Sequence, residues 1–229
     1  MRGPRHWGWK HWTITGVVLA VVVFVGGPFL YIHVIEGPAP KKLSVANTGD
    51  TSAPTVPVAG TWKVTTGSQV GYRVKEVLFG QSTTAVGRTD QVSGTMTVTS
   101  TAVTAASFVA QMSSVHSDQG NRDGQFRGRI MDVATYPTAT FALRKPVPLG
   151  PLPSGSSTRT YQVEGTLTMH GVARQIVFPL TAKRSGTSIA LSGQLPITFA
   201  DYGIPNPTFG PARVGDSGTL EVLLTFVRA

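Results

Sequence analysis

From Gly60 to the carboxy terminus, apolar residues recur at alternate positions in short runs that Gly, Ser, Asn or Pro interrupt. A period of two marks a strand with one buried face, and no stretch between the runs has the length and period of a crossover helix, which argues against a parallel α/β fold. The pattern predicts strands near 61–65, 69–78, 91–100, 105–116, 138–145, 159–170, 173–184, 187–198 and 217–228. Several reach ten to twelve residues, are rich in Val, Thr, Phe and Ile, and are joined by hairpin-like turns such as HGVA and RSGT, so neighbours in sequence are antiparallel neighbours in space. About eight or nine such strands fit an all-β antiparallel barrel, which removes its own edges and at about eight strands has room for one small ligand.

Alternation fails at 117–137, SDQGNRDGQFRGRIMDVATYP. Phe126 and Ile130 stand four apart, Asn121 or Asp123 can cap a helical turn, and Gly124 and Gly128 keep it short. This segment is expected as a short helix or ordered loop over the barrel mouth. Elsewhere alternation sorts faces. Phe108, Ala110 and Met112 share one side, as do Phe141 and Leu143, and Leu167 pairs with Met169 while His170 lies opposite with Thr166 and Thr168. The candidate lining of an interior slot is therefore Phe108, Met112, Phe141, Leu143, Met169 and Phe178 from strands, with Phe126 and Ile130 from the covering segment. Alternation alone favours a solidly packed core; the methionines and alanine among these inward residues also suit a slot for a linear apolar chain.

Composition narrows the chemistry. Cysteine is absent, which removes disulfides, thiolate metal sites and thiol nucleophiles. The net charge of +9 raises nucleic acid as a partner, but Arg2, Arg5, Lys10, Lys41 and Lys42 lie in the first 42 positions and the other basic residues are scattered, with no stripe interleaved with stacking aromatics. No nucleic-acid partner is expected.

Residues 1–12, MRGPRHWGWKHW, form a basic, tryptophan-rich tail, and 13–35, TITGVVLAVVVFVGGPFLYIHVI, carry no acid, lysine or arginine. Twenty-three such residues exceed the roughly 20 that a bilayer requires, with Trp7, Trp9 and Trp12 at the interface and the basic end on the cytoplasmic side. The expectation is a single-pass signal anchor in the cell membrane with the following domain extracytoplasmic; the alternative is a secreted protein released by signal cleavage, although no clear A-x-A site is present. Residues 36–59, rich in Pro, Ser, Thr, Ala and Gly, read as a flexible extended linker before a domain at 60–229.

No complete catalytic set emerges. His170, with Glu164 six residues before it, is the best catalytic candidate, but six strand residues span about 20 Å and no G-x-S-x-G elbow accompanies them. His116 and Asp118, with Asn121 or Asp123, supply an incomplete metal set, and a capping loop is the favoured reading. Arg122, Arg127 and Arg129 in the covering segment can meet a phosphate or hydroxyl head group, against the simpler reading of three solvated arginines.

The strings GTWKVTTGSQVGYRV, VSGTMTV, RDGQFRGRIMDVATYPTATF and GTLTMHGVARQIVFPL occur in an order that resembles the YceI-like family over about residues 60–229. The resemblance implies an extended lipocalin-like barrel of about eight strands whose apolar tunnel binds a polyisoprenoid, in exported proteins that are often dimeric and have no established catalytic centre. The implied partners are an isoprenoid lipid of polyprenol or quinone type and a second copy in a homodimer, beside the membrane expected through the N-terminal helix; no cofactor or metal is implied. The chain departs from the pattern after Tyr72, where Lys75 and Glu76 stand in a region in which many relatives place a histidine, so a different head-group preference is expected if this region forms the mouth. The rival expectations are an envelope interaction module with a filled core and, less favoured, a hydrolase using His170 or His116.

Overall fold

The computed structural model describes residues 9–21, 38–48, 51–152 and 157–229. Twelve strands lie among them: β1 (Gly60–Val64), β2 (Gln69–Leu78), β3 (Gln81–Thr89), β4 (Val92–Val98), β5 (Ala102–Gln111), β6 (Thr138–Leu143), β7 (Val147–Pro148), β8 (Thr158–Met169), β9 (Val172–Ser185), β10 (Ser188–Thr198), β11 (Ala212–Val214) and β12 (Ser217–Arg228). Every pairing is antiparallel. β1 and β2 follow one another along β12 as one bent stave, and their partners β4 and β3 form the next. The order β1/β2, β3/β4, β5, β6, β8, β9, β10, β12 then closes on itself, giving an eight-stave up-and-down barrel with β7 and β11 as short additions. Closure leaves no long edge open to a second sheet.

Because each stave reverses direction, the β2–β3 and β8–β9 turns and the β5–β6 and β10–β12 connections gather at one end, the mouth. The far end carries the start of β1, the end of β12 and the β9–β10 turn. Two mouth turns are tight. Phe79-Gly80 and His170-Gly171 each place both central residues at positive φ (51° and 82°; 51° and 76°), the type I′ form whose twist matches the flanking strands. β3 was not visible as a strand in the sequence. Its residues Gln81, Thr83, Ala85 and Gly87 oppose Leu78, Glu76, Val74 and Tyr72 of β2, so small and polar side chains face large ones and no apolar period results.

The covering segment is present. Helix α2 (Gly120–Gln125) passes into a π-helical turn over Phe126–Ile130. Its amino-terminal residue Gln119 makes no side-chain cap, and Asp123 instead accepts hydrogen bonds from the backbone and hydroxyl of Ser117 at 2.8 and 2.7 Å. At the amino terminus, helix α1 covers Trp9–Val21, about 20 Å at 1.5 Å per residue, which is short of a bilayer core. No described helix is long and apolar enough to cross a membrane; the rest of the expected 13–35 span lies outside the described residues.

The expectation of a flexible linker over 36–59 requires correction for its described part. Residues 40–48 and 51–58 form a strap on the outer barrel wall. Arg73 donates to the Pro40 carbonyl at 2.6 Å, Lys42 reaches Gln194 at 3.2 Å, and the Val45 amide meets the Ser192 hydroxyl at 3.0 Å. Leu43 and Val45 are buried. The strap then descends to the far end, where Ser52 and Thr55 bond Gly186 and the Val58 carbonyl accepts from the Trp62 indole at 2.8 Å. Composition suggested a free segment because its partners are distant side chains that meet it only in the closed barrel.

Under the strap lies a charged group. Glu221, 1 % exposed, accepts from Arg73 Nε at 2.7 Å and from Arg88 at 3.0 Å. Gly71 stands between Arg88 and Glu221, and a Cβ there would lie 2.9 Å from the Arg88 side chain, so the absent side chain opens the path.

Candidate functional site

The interior is divided. At the mouth half, a cavity of about 390 Å³ is lined by β2, β3, β5, β6, β8, β10 and β12, the α2 segment and the 204–214 loop. That size is within the range of small-molecule sites. At the far half, only about 90 Å³ remains between Met96, Val103, Phe108, Leu143, Leu180 and Leu191. Phe141 borders both spaces. Its ring lies 6.1 Å from those of Phe108 and Phe178, and Phe108 in turn lies 5.6 Å from Phe226. Phe141 occupies the place a side chain at Gly165 would take, since a Cβ there would fall 2.2 Å from the ring. An aromatic partition therefore crosses the barrel, and the space is a blind chamber rather than an open tunnel.

Met112, Met169, Phe126, Ile130 and Phe141 come together around the mouth cavity. Phe108 and Leu143 sit instead on the far side of the partition, and Phe178 borders neither space, being buried with Val147, Val163 and Leu180. All three face inward as alternation indicates, but at another height along the axis.

Polar side chains gather at the mouth, with Thr140 and Glu221 also on the cavity boundary. Tyr72 stacks on Phe126 at 5.3 Å between ring centroids and projects its phenol into the cavity, where the hydroxyl has no hydrogen-bond partner among the described residues. Burial pushes this phenol well above the ordinary tyrosine range, with Arg122 pulling part of the way back, so it remains a neutral donor. Arg122 is held between Glu76 at 2.9 Å and Asp118 at 2.5 Å. Gln119, Asn121 and Gln125 complete the polar rim, while deeper walls are Val74, Ala110, Met131, Leu167, Ile197 and Phe199. Tyr72 is not among the candidate lining residues of the sequence, and Glu76 enters there only as a departure from the family pattern, although Val70, Tyr72, Val74 and Glu76 share one face of β2 by simple alternation.

The other candidates have structural places. His170 is the first central residue of a type I′ turn; its Nδ1 lies 3.2 Å from the Tyr202 carbonyl and its ring 4.6 Å from that of Tyr136. Since a carbonyl only accepts, Nδ1 carries the proton. Glu164 pairs with Lys145 at 2.7 Å rather than with His170. His116 bridges Arg88 through its backbone, Asp118 pairs with Arg122, and Asp123 holds Ser117; no group of three or more metal-ligating side chains occurs among the described residues. Of the three arginines, only Arg122 lines the cavity. Arg127 is exposed, and Arg129 ties the covering segment to the carbonyls of Asn206 and Pro207 at 3.1 and 3.2 Å.

The YceI-like domain matches residues 62–226. The chain belongs to the YceI-like family. Among solved structures it is similar to a polyisoprenoid binding domain from Saccharophagus degradans implicated in plant cell wall breakdown, at 20 % identity and a TM-score of 0.60, covering 75 % of this chain and 99 % of that one. It is also similar to BcnA of Burkholderia cenocepacia, at 20 % identity and a TM-score of 0.54, covering 69 % and 95 %. At such identities these likenesses establish the fold. No curated protein sequence matches the chain significantly.

Proposed function

We propose that this YceI-like protein binds an isoprenoid lipid in the mouth cavity and stores or transports it outside the cytoplasm. The observation that carries the reading is the division of polarity within one blind chamber: apolar walls below, a neutral phenol and a compensated arginine at the rim. Burying hydrocarbon is worth about 0.8 kcal/mol per methylene-sized group, so a few isoprene units supply roughly 10 kcal/mol before ordering costs. No catalytic step is required. The similarity to a structure described as a polyisoprenoid binding domain supports the same class of ligand.

The rim favours an uncharged head. Glu76 and Asp118 already occupy Arg122, so a phosphate arriving there meets two carboxylates, whereas a hydroxyl or quinone oxygen can accept from Tyr72. An isoprenoid alcohol or quinone is thus the proposed ligand. The tryptophan-rich basic tail and the apolar 13–35 run support a single-pass anchor with the barrel extracytoplasmic, and the exposure of Ile14, Val17, Val18 and Leu19 on α1 accords with a lipid environment. Native mass spectrometry of the detergent-purified chain, followed by lipid extraction, tests the proposal: a bound neutral isoprenoid is expected, and protein recovered empty after exposure to isoprenoid alcohols and quinones contradicts it.

A further inference from the structure

We infer that the mouth rim is a docking surface for an anionic lipid bilayer, through which the cavity exchanges its ligand without exposing the tail to water. The inference rests on the proposed lipid-binding function and adds a partner to it. Phe79 is 53 % exposed, Phe209 57 % and Val77 39 %. They belong to one patch: Phe79 forms the tip of the β2–β3 hairpin, Val77 stands opposite Arg213 of β11, and Phe209 bridges Ala212, which pairs with Leu78. Leu78 and Phe209 also line the cavity, so the apolar surface is continuous from its interior to the rim.

Three observations favour a bilayer as occupant. Phe79 holds a left-handed backbone conformation, φ 51°, that Asn or Gly adopts far more readily, so this turn presents an aromatic ring to solvent at a conformational cost. Lys75 and Arg213 flank the patch and Arg127 lies in the covering segment at the same end, all exposed and in no ion pair among the described residues, and Arg129 lies over the Phe209 ring at 5.9 Å. Of the exposed acids at this end, Asp118 is paired with Arg122, while Asp216, hydrogen-bonded only to the neutral Asn206, and Asp201 make no ion pair among the described residues; Lys75, Arg127, Arg129 and Arg213 outnumber these two, so the outward charge is positive and complements anionic head groups. Aromatic rings flanked by cations are the composition that settles at a membrane interface. The strap, lastly, has a polarity: it meets Arg73 and Arg88 at Pro40 and Lys41 and descends from there to Gly186 at the far end. The sequence before the strap carries the apolar 13–35 run proposed above as a membrane anchor, which keeps a bilayer within reach of the barrel.

The chain has no cysteine, so single labels are clean. The full chain carrying Phe79→Cys or Thr187→Cys, labelled with an environment-sensitive fluorophore, is reconstituted in vesicles of phosphatidylcholine and phosphatidylglycerol. A label at 79 should shift to the blue and be quenched by spin-labelled lipid, while a label at 187, in the exposed far-end turn, stays aqueous. Val77→Asp with Phe79→Asp should slow transfer of isoprenoid from vesicles at least tenfold and leave equilibrium occupancy unchanged. An aqueous label at 79 in vesicles overturns the docking surface, as does a blue shift that needs no vesicles and grows with protein concentration, which would assign the patch to a second copy. If lipid co-purifies while the label stays aqueous, docking alone fails; if the label enters the bilayer but no lipid is bound, docking stands and the lipid-binding reading falls.

Discussion

The two halves of the barrel are built from the same alternating strands yet solve opposite problems. At the far half, Trp62 and Phe226 are fully buried and pack with Met96, Val98, Ile189 and Leu224, leaving only a small void. At the mouth half, flexible methionines and β-branched or small residues surround about 390 Å³ of open space. Both halves carry a buried apolar cluster, but only the far one is nearly filled. Apolar walls facing a void forgo the dispersion contacts that a filled core supplies, so the hollow half depends on its neighbour for rigidity.

The largest expected effect tests that division. Phe226→Ala should cost about 3–5 kcal/mol in delipidated protein, as phenylalanine truncation in a filled core does, while Phe199→Ala, whose ring borders the cavity, should cost clearly less. Denaturant midpoints compare them, and equal losses would mean that the halves are packed alike. Glu221→Ala should come next. Breaking a buried ion pair costs about 3–5 kcal/mol, reduced here because Arg73 and Arg88 retain some access to water, and the strap should become susceptible to protease at Pro40–Val45.

Phe141→Ala removes the ring that borders both spaces and should shift the co-purified lipids toward longer chains, read by mass spectrometry of the extract; an unchanged distribution would mean that this ring does not set the depth. The pH response of Tyr72 follows from its raised pKa. Below about pH 10 the phenol is neutral both folded and unfolded and stability is flat. Above it the unfolded phenol ionises first, so stability declines as pH rises, by no more than about 1.4 kcal/mol per pH unit. Tyr72→Phe should lessen that slope in urea titrations at pH 9 and 11, leaving the share from Tyr202, whose burial also raises its phenol. The smallest effect is His170→Asn: asparagine suits the left-handed turn position, so stability should change by less than about 1 kcal/mol and lipid binding should persist.

Much of this architecture was legible because alternation is local. β2 and β12 match their predicted spans, and most other long strands agree within a residue or two. β5 instead starts early at Ala102 and stops at Gln111, because Met112–Ser114 tightens into a 3-10 turn. Alternation reports which face a side chain takes but not its height in the barrel. That is why Met112 and Met169 reach the cavity while Phe108, Leu143 and Phe178, equally inward, lie at or beyond the partition. β3 and the strap escaped for a related reason: both are specified by distant partners, β3 by the large residues of β2 and the strap by Arg73, Arg88 and Ser192.

The claim that the mouth half alone receives the lipid tail is tested most directly by photocrosslinking. A prenol carrying a diazirine at the tail end, bound to the full chain and irradiated, should label Met112, Met131 or Met169 and spare Met96 beyond the partition. Adducts centred on Met96 and Trp62, or on the outer wall, would contradict the account.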